Sequence, residues 1–515
     1  MTLLAAIVAA SNGIAQTSSR RAKRDAIAGC LRDAEGDEVE IAVAYLSGET
    51  RQGRIGIGHA TLASQRGAPA AQAGLALGEV DAALSRLAAA TGKGSAAGRN
   101  AQLRSLLERA TAPEQDFLFR LLLGELRQGA LEGVMIEAVA AASGVPVADV
   151  RRASMVTGTL GAVARIALSE GAPGLARFAV ALHRPVQPML AQPAASIAEA
   201  LARVPGAAIE WKVDGARVQV HKAGGRVAVY TRSLNDVTDS VPEIVAAVQG
   251  LAAQELILDG EAVAVAPGGG PQPFQVTMRR FGRKLDVERM QAELPLAVLF
   301  FDCLYLDGAP LIDRPAHERF ERLAEAVSAP LLIPRLIAAD VSAAEDFYAD
   351  ALARGHEGVM VKALDAPYEA GSRGASWLKV KHAHTLDLVV LAAEWGHGRR
   401  RGWLSNLHLG ARDAAGAWVM LGKTFKGMTD ELLAWQTREL LARECGRSGH
   451  VVHVRPELVV EVAFNDLQAS PQYVGGLALR FARVKGYRPD KGAAQADTIE
   501  TVRALHAAQR ARGVT

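Results

Sequence analysis

The sequence predicts a multidomain chain: an all-α N-terminal domain, an α+β middle domain and a small C-terminal β-barrel. Three observations predict it. The 515 residues make about three domains at ~150 residues each. Apolar residues fall at helical spacing up to about residue 183, and period-2 strand patterns take over beyond it. After about residue 384, short strands recur around one helix, which suits a small barrel such as an OB-fold. The boundaries are 1–183, 184–383 and 384–515.

Composition sets the outer limits. Half the residues are apolar and 22% are charged, which excludes a disordered or fibrous chain. No run approaches the ~20 apolar residues that span a bilayer. The apolar start, Met1 to Ala15, precedes the basic cluster Arg20, Arg21, Lys23 and Arg24, the reverse of a secretory leader, so it reads as a packed helix. Three distant cysteines, Cys30, Cys303 and Cys445, exclude a four-cysteine zinc module and fit a reducing, cytoplasmic setting. The net charge of +3 is too small to point to a nucleic-acid partner by itself.

In the first domain, Thr111 with Glu114 forms a capping box. Phe117, Leu118, Leu121, Leu122 and Leu126 follow it at helical spacing, and Gly144 and Pro146 are stop signals. Arg184-Pro-Val-Gln-Pro-Met-Leu opens the second domain as a linker. Residues 216–222 and 226–232 alternate around Gly224-Gly225 as a hairpin. Leu256–Val265 and Leu296–Leu306 are further strands, and Ser342 with Glu345 opens a helix running to Ala353. In the third domain, strands are expected at Leu386–Leu391 and near 404–410, 417–421 and 458–464, with a helix over Asp430–Arg443.

The chemistry concentrates in ordered strings. The first is Glu210-Trp-Lys212-Val-Asp214-Gly215-Ala-Arg217, a lysine at a strand end before a glycine turn and an arginine. Thr231-Arg232-Ser233, Leu258-Asp259-Gly260-Glu261, Phe300-Phe301-Asp302, Glu357-Gly-Val-Met-Val-Lys362 and Trp377-Leu-Lys379-Val-Lys381 follow in that order. Glu261 and Glu357 each end or follow an apolar strand, which places carboxylates at a pocket rim. Magnesium favours one or two carboxylates plus phosphate oxygens, so both are metal candidates. Phe301 can stack on a flat base, with Phe300 pointing the opposite way. Arg373, in Gly371-Ser-Arg373-Gly374, is a loop arginine suited to phosphate.

Together these strings resemble the covalent nucleotidyltransferases, most closely the ATP-dependent DNA ligases, and the resemblance runs from Arg184 to the end. Gly92-Lys93-Gly94-Ser95 and Gly124-Glu-Leu-Arg127-Gln-Gly129 also stand where that family's DNA-binding domain has similar strings. The resemblance implies transfer of AMP from ATP to a lysine, then to a DNA 5′-phosphate, and displacement of AMP by a 3′-hydroxyl. Lys212 is then the nucleophile. A lysine of pKa ~10.4 is only about 0.1% neutral near pH 7.5, so it needs neighbouring cations or a metal to favour the free amine. Lys379, Lys381 and Arg217 are expected to supply that field and to hold phosphate oxygens.

By the same resemblance Glu210 contacts the adenosine, Arg217 and Arg232 serve the ribose and phosphates, and Glu261 belongs to the nucleotide site. Leu479-Arg480-Phe-Ala-Arg483-Val, running on to Asp490-Lys491, resembles the string that orients pyrophosphate; Gly486, after Lys485, stands where the family often has a basic residue. Arg399-Arg400-Arg401, Lys423, Lys426 and Arg127 are expected to track DNA phosphates. The implied cofactors are ATP and Mg2+ (or Mn2+), and the implied partner is nicked double-stranded DNA, bound by a monomer free of any membrane and, in a bacterium, associated with the nucleoid. An RNA ligase or GTP-dependent capping enzyme shares the lysine chemistry, but the long helical domain before Lys212 counts against it. An inactive DNA-binding scaffold would have lost the catalytic strings. Because the lysine and its partners all lie beyond Arg184, the helical domain is expected to be dispensable for self-adenylation.

Overall fold

The computed structural model describes residues 1–512 apart from 54, 91–93, 127, 130–131, 267–269, 273, 282–285, 338–339, 370–373 and 382–383. The proposed site residue Arg373, the family-like residues Gly92, Lys93 and Arg127, and the proposed boundary at 383 lie outside these described residues.

Helices fill the N-terminal part from Leu4–Gln16 to Leu160–Ala176. The apolar start is the helix Leu4–Gln16, which buries Leu4, Ile7, Val8 and Ile14 in the first core. The capping box forms as expected: Glu114 accepts from the Thr111 amide at 2.8 Å and from its hydroxyl at 2.8 Å. The following helix, Ala112–Leu122, buries Phe117, Leu118 and Leu121. Among the described residues no helix is long and apolar enough to cross a membrane.

The middle part is built on two five-stranded sheets. The first has the order Gln192–Ala194, Trp377–Lys381, Gly358–Lys362, Ala208–Lys212, Arg335–Ile337; its first pair is parallel and the rest antiparallel. Side chains alternate across it. Ile209, Val359, Val361, Leu378 and Val380 bury on one face, against helices Ile197–Arg203 and Val341–Ala353. That leaves Glu210, Lys212, Lys379 and Lys381 for the other face. The helix expected after Ser342 starts slightly earlier, because the Asp340 carboxylate caps it by accepting from the Ala343 amide at 2.9 Å.

The second sheet is antiparallel, in the order Arg226–Thr231, Ala216–Ala223, Glu255–Ala264, Leu296–Leu306, Ala309–Pro310. The hairpin turns at Gly224, whose φ of 56° is the left-handed conformation a two-glycine turn provides. Its core holds Val218, Val220, Val229, Leu258 and Phe300. Beside it lies a fully buried ion pair: Arg319 donates to both oxygens of Asp302, at 2.8 and 3.0 Å, and both side chains are 0% exposed. The remaining Arg319 donors reach the Arg314 and Ala366 carbonyls at 2.6 and 3.1 Å.

The C-terminal part is an OB-fold. His384–Trp395 is its central strand, pairing with Leu404–Arg412, Val451–Val454 and Val459–Phe464; Leu404–Arg412 also pairs with Trp418–Thr424. Helix Asp430–Ala442 is inserted as expected, capped by Thr429. On the outer face Glu394 accepts from Lys423 at 2.5 Å, His408 at 2.9 Å and Asn406 at 2.7 Å. Burial pushes the Glu394 carboxyl up, but these three donors outweigh it and hold it down at about 2.

Two stability predictions follow from these contacts. Arg319→Met strands the Asp302 carboxylate inside the protein and should cost about 3–5 kcal/mol, read as a lower denaturant midpoint of the middle domain. Glu394 ionises near 4.3 in an unfolded chain but near 2 in the fold, so its contribution is present above about pH 4.5 and is lost as pH falls through 2. Glu394→Gln should therefore lower the thermal midpoint at pH 7, and the variant and parent curves should converge between about pH 4.5 and 2.

Candidate active site

The two sheets face each other across a cavity of about 500 Å³, lined by Glu210, Lys212, Arg217, Arg232, Glu261, Phe301, Glu357, Lys379 and Lys381. Every proposed nucleotide or metal residue among the described ones is on that wall. Two glycines let the strands close. A Cβ on Gly215 would meet the Ala262 carbonyl oxygen at 2.3 Å, and one on Gly358 would meet that of Val380 at 2.2 Å. Gly358 also has φ 142°, in the range that favours glycine.

Lys212 and Lys381 both lie opposite Gly358, one on each neighbouring strand. Their amines converge on the carboxylate just before it. Lys212 Nζ contacts Glu357 Oε2, and Lys381 Nζ lies 2.9 Å from Oε1 and 2.7 Å from Oε2. The Glu357 amide also donates to the Lys212 carbonyl at 3.0 Å, so backbone and side chains are locked together.

The electrostatics differ from the sequence expectation. Burial works to lower the Lys212 pKa, but Glu357 more than offsets it, and the net direction is up. The neighbouring cation is the amine that is lowered: burial, then Lys212, push Lys381 down. Burial works against the Glu357 charge, but the two lysines prevail and hold it at about 2. Glu261 is opposite in character; burial pushes it up to about 7. In this arrangement Lys212 is stored as an ammonium.

Arg217 also departs from expectation. It forms a two-bond pair with Asp259, Nε to Oδ1 at 3.0 Å and Nη2 to Oδ2 at 2.6 Å, and donates to the Met189 carbonyl at 2.6 Å. It lines the wall with its charge balanced, so it adds little to the field at Lys212. Glu210 is likewise engaged: Arg335 Nε donates to Oε1 at 2.8 Å, and the buried Lys362 amine lies 2.5 Å from Oε2. Lys362 was part of a recognised string but carried no proposed role; it sits 4.4 Å from the Phe301 ring centroid and 4.2 Å from that of Trp377. Phe301 faces the cavity while Phe300 is buried in the core, as alternation requires.

Among the described residues the barrel contributes one arginine to the cavity. Arg480 Nη1 donates to Asp214 Oδ2 at 2.9 Å, and its guanidinium lies 4.8 Å from the Phe274 ring centroid. Arg483 and Lys485 are exposed and do not line the cavity. The expected pair is thus split. Phe481 between them has φ 56°, which breaks the strand and sends the two arginines to different surroundings. Lys491 contacts Asp387 of the barrel, and Arg488 donates to both Asp387 and the exposed Asp490.

Several expected DNA contacts also have partners here. Arg399 pairs with Asp430 at 3.1 Å, Arg400 donates to the Phe425 carbonyl, and Lys423 is held by Glu394. The Lys426 amine lies 5.9 and 5.5 Å from the Phe425 and Phe481 ring centroids. The Arg399 pair is well exposed, and such pairs exchange readily for another anion.

Comparison with known proteins gives the family. Residues 188–381 match the ATP dependent DNA ligase domain, 400–491 its C terminal region and 60–140 the DNA ligase N terminus. A probable DNA ligase of Anaeromyxobacter sp. (strain Fw109-5) is 61% identical over 510 residues, covering 98% of each chain. One from Sorangium cellulosum (strain So ce56) is 55% identical over 508 residues, covering 98% of this chain and 95% of that one. The solved structure named Pmar-Lig_PreS3 shares the fold at TM-score 0.62 and 18% identity, covering 94% of this chain and 99% of that one. With the three regions matched in order and the identity sustained from end to end, the chain belongs to the ATP-dependent DNA ligases.

Proposed function

We propose that Lys212 carries the AMP in this ligase, and that nicked duplex DNA is sealed through the lysyl-AMP and a DNA-adenylate. The observation that carries the assignment is the meeting of Lys212, Lys381, Glu357, Glu261 and Arg480 in or on one cavity beside an aromatic residue suited to a base. Lys212 Nζ attacks the α-phosphorus of ATP. The ammonium first yields a proton to solvent; as neutral Nζ attacks, the bond from the α-phosphorus to the bridging oxygen breaks, pyrophosphate leaves with that electron pair, and the phosphoramidate nitrogen gives its second proton to solvent. The chain's own means of freeing the amine is Glu357. As its carboxylate is drawn toward Lys381, the interaction that raises the Lys212 pKa weakens, and burial and the Lys381 charge favour the neutral amine.

The residues present fit a divalent ion. Among the described residues no three His, Cys, Asp or Glu side chains form a closed metal site. Glu261, however, is a buried carboxyl raised to about 7, which a cation would relieve, and Glu357 is the second carboxylate. Magnesium or manganese held by the two, with phosphate oxygens completing its shell, would neutralise charge on the phosphates. Phe301 would stack on the adenine with Glu210 at its edge. Arg232, exposed at the mouth, and Lys379 would hold ribose and phosphate oxygens. The helical domain and the exposed barrel arginines supply phosphate contacts to DNA, with the protein acting as a monomer.

Lys212→Ala should abolish the labelled-AMP adduct on a denaturing gel; a normal adduct on that variant overturns the assignment. Arg480 reaches the cavity and Arg483 does not, so Arg480→Ala alone should raise the barrier to lysine adenylation by about 2–4 kcal/mol, as loss of other transition-state donors does. Arg483→Ala should change it little. Both variants should still seal a nick whose 5′-phosphate already bears AMP, since no pyrophosphate remains to be oriented.

A further inference from the structure

The wall of the cavity formed by Arg217 is held by residues that share an apolar cluster with the helical domain. The Tyr368 hydroxyl is buried and fully used: it donates to Asp259 Oδ2 at 2.7 Å and accepts from Arg217 Nη2 and the Met189 amide, each at 3.1 Å. The Met189 carbonyl takes a third Arg217 donor at 2.6 Å. The pose of Arg217 therefore depends on Asp259 and also on where Tyr368 and the Met189 segment are fixed. Their side chains bury in one apolar cluster, and Met155 and Val156, 4% and 0% exposed, belong to the same cluster.

Those two residues sit on helix Val147–Thr157 of the helical N-terminal domain. The attachment is reinforced twice. The Gln187 amide donates to the Met155 carbonyl at 3.0 Å, in the segment that leads to Met189. Arg152 grips both oxygens of Asp313, at 3.1 and 2.8 Å, next to Ile312, whose carbonyl accepts from the Tyr368 amide at 2.8 Å.

We propose that helix Val147–Thr157 is a working part of the nucleotide site: Met155 and Val156, acting through Met189 and Tyr368, are positioning residues for Arg217, so the helical domain helps capture ATP before any DNA is bound. This revises the expectation that the catalytic machinery is self-sufficient beyond Arg184. It rests on the reading of the cavity as the ATP site.

The test is lysine adenylation in the absence of DNA, with labelled ATP and the full chain. Met155→Ala removes packing from the cluster that holds Met189 and Tyr368, and Tyr368→Phe removes only the hydroxyl that joins Arg217 to the Met189 segment. Each should raise KM for ATP about tenfold with a much smaller fall in maximal rate, the split expected when a ground-state contact is lost. Met155→Leu should restore most of the loss, and the double variant should be no worse than the more severe single one. The proposal is overturned if Met155→Ala keeps the parent KM, whatever Tyr368→Phe does, or if it loses only active fraction at saturating ATP. A parent chain that forms no adduct would instead refute the ATP reading itself, so the two failures are separable.

Discussion

The close approach of three strands at Gly358 is the constraint on which the rest of the cavity depends. A side chain there would run into the Val380 carbonyl, so the strands carrying Lys212 and Lys381 can flank that point only because Cβ is absent. With backbones that close, two amines must share the single carboxylate that precedes the glycine. Like charges a few ångströms apart are costly in a low-dielectric site unless an anion lies between them. Glu357 is that anion, and the geometry makes it a divider of positive charge rather than a dedicated partner of either lysine. Small shifts of one carboxylate then trade protonation between two amines.

The rest of the wall is polar but largely balanced. Arg217 with Asp259 and Glu210 with Lys362 and Arg335 are ion pairs with at least one buried member. Such pairs contribute little net stability, because desolvation offsets attraction. Their value is geometric, since a two-bond guanidinium–carboxylate contact fixes direction as well as distance. A count of basic residues in the recognised strings therefore overstates the field at Lys212. Arg217 acts as shaped wall, whereas Lys381 shares Glu357 with Lys212 directly.

The sequence was most legible where periodicity and local signals acted together. The capping box at Thr111, the Gly224-Gly225 hairpin, the Phe300/Phe301 alternation and the strands around the inserted barrel helix are all short-range features, and all are present. The short late strands, such as Asp466–Ala469 with Leu477–Arg480, were missed; four residues carry too little period to register. Side-chain partners were missed for another reason. Asp259 and Arg217 stood in two recognised strings 42 residues apart, but only the folded register brings them together. Arg480 and Arg483 looked equivalent because nothing local announces that Phe481 adopts a positive φ.

The two junctions of the middle domain differ in kind, and the difference bears on which part can move. Toward the helical domain the contact is an apolar cluster containing Met155, Val156, Met189, Ile257 and Leu304, flanked by the two-bond Arg152–Asp313 pair. Separating it would expose buried hydrocarbon, at about 25 cal/mol for each Å². Toward the barrel the described contacts include Arg480 with Asp214, Gln275 with Gln468 at 2.6 Å, and the Arg480 guanidinium against Phe274. Polar groups at such a junction regain hydrogen bonds from water when they part, so the net cost is small. The barrel junction is therefore the one that parts at the lower cost, and it carries Arg480, the arginine proposed to orient pyrophosphate.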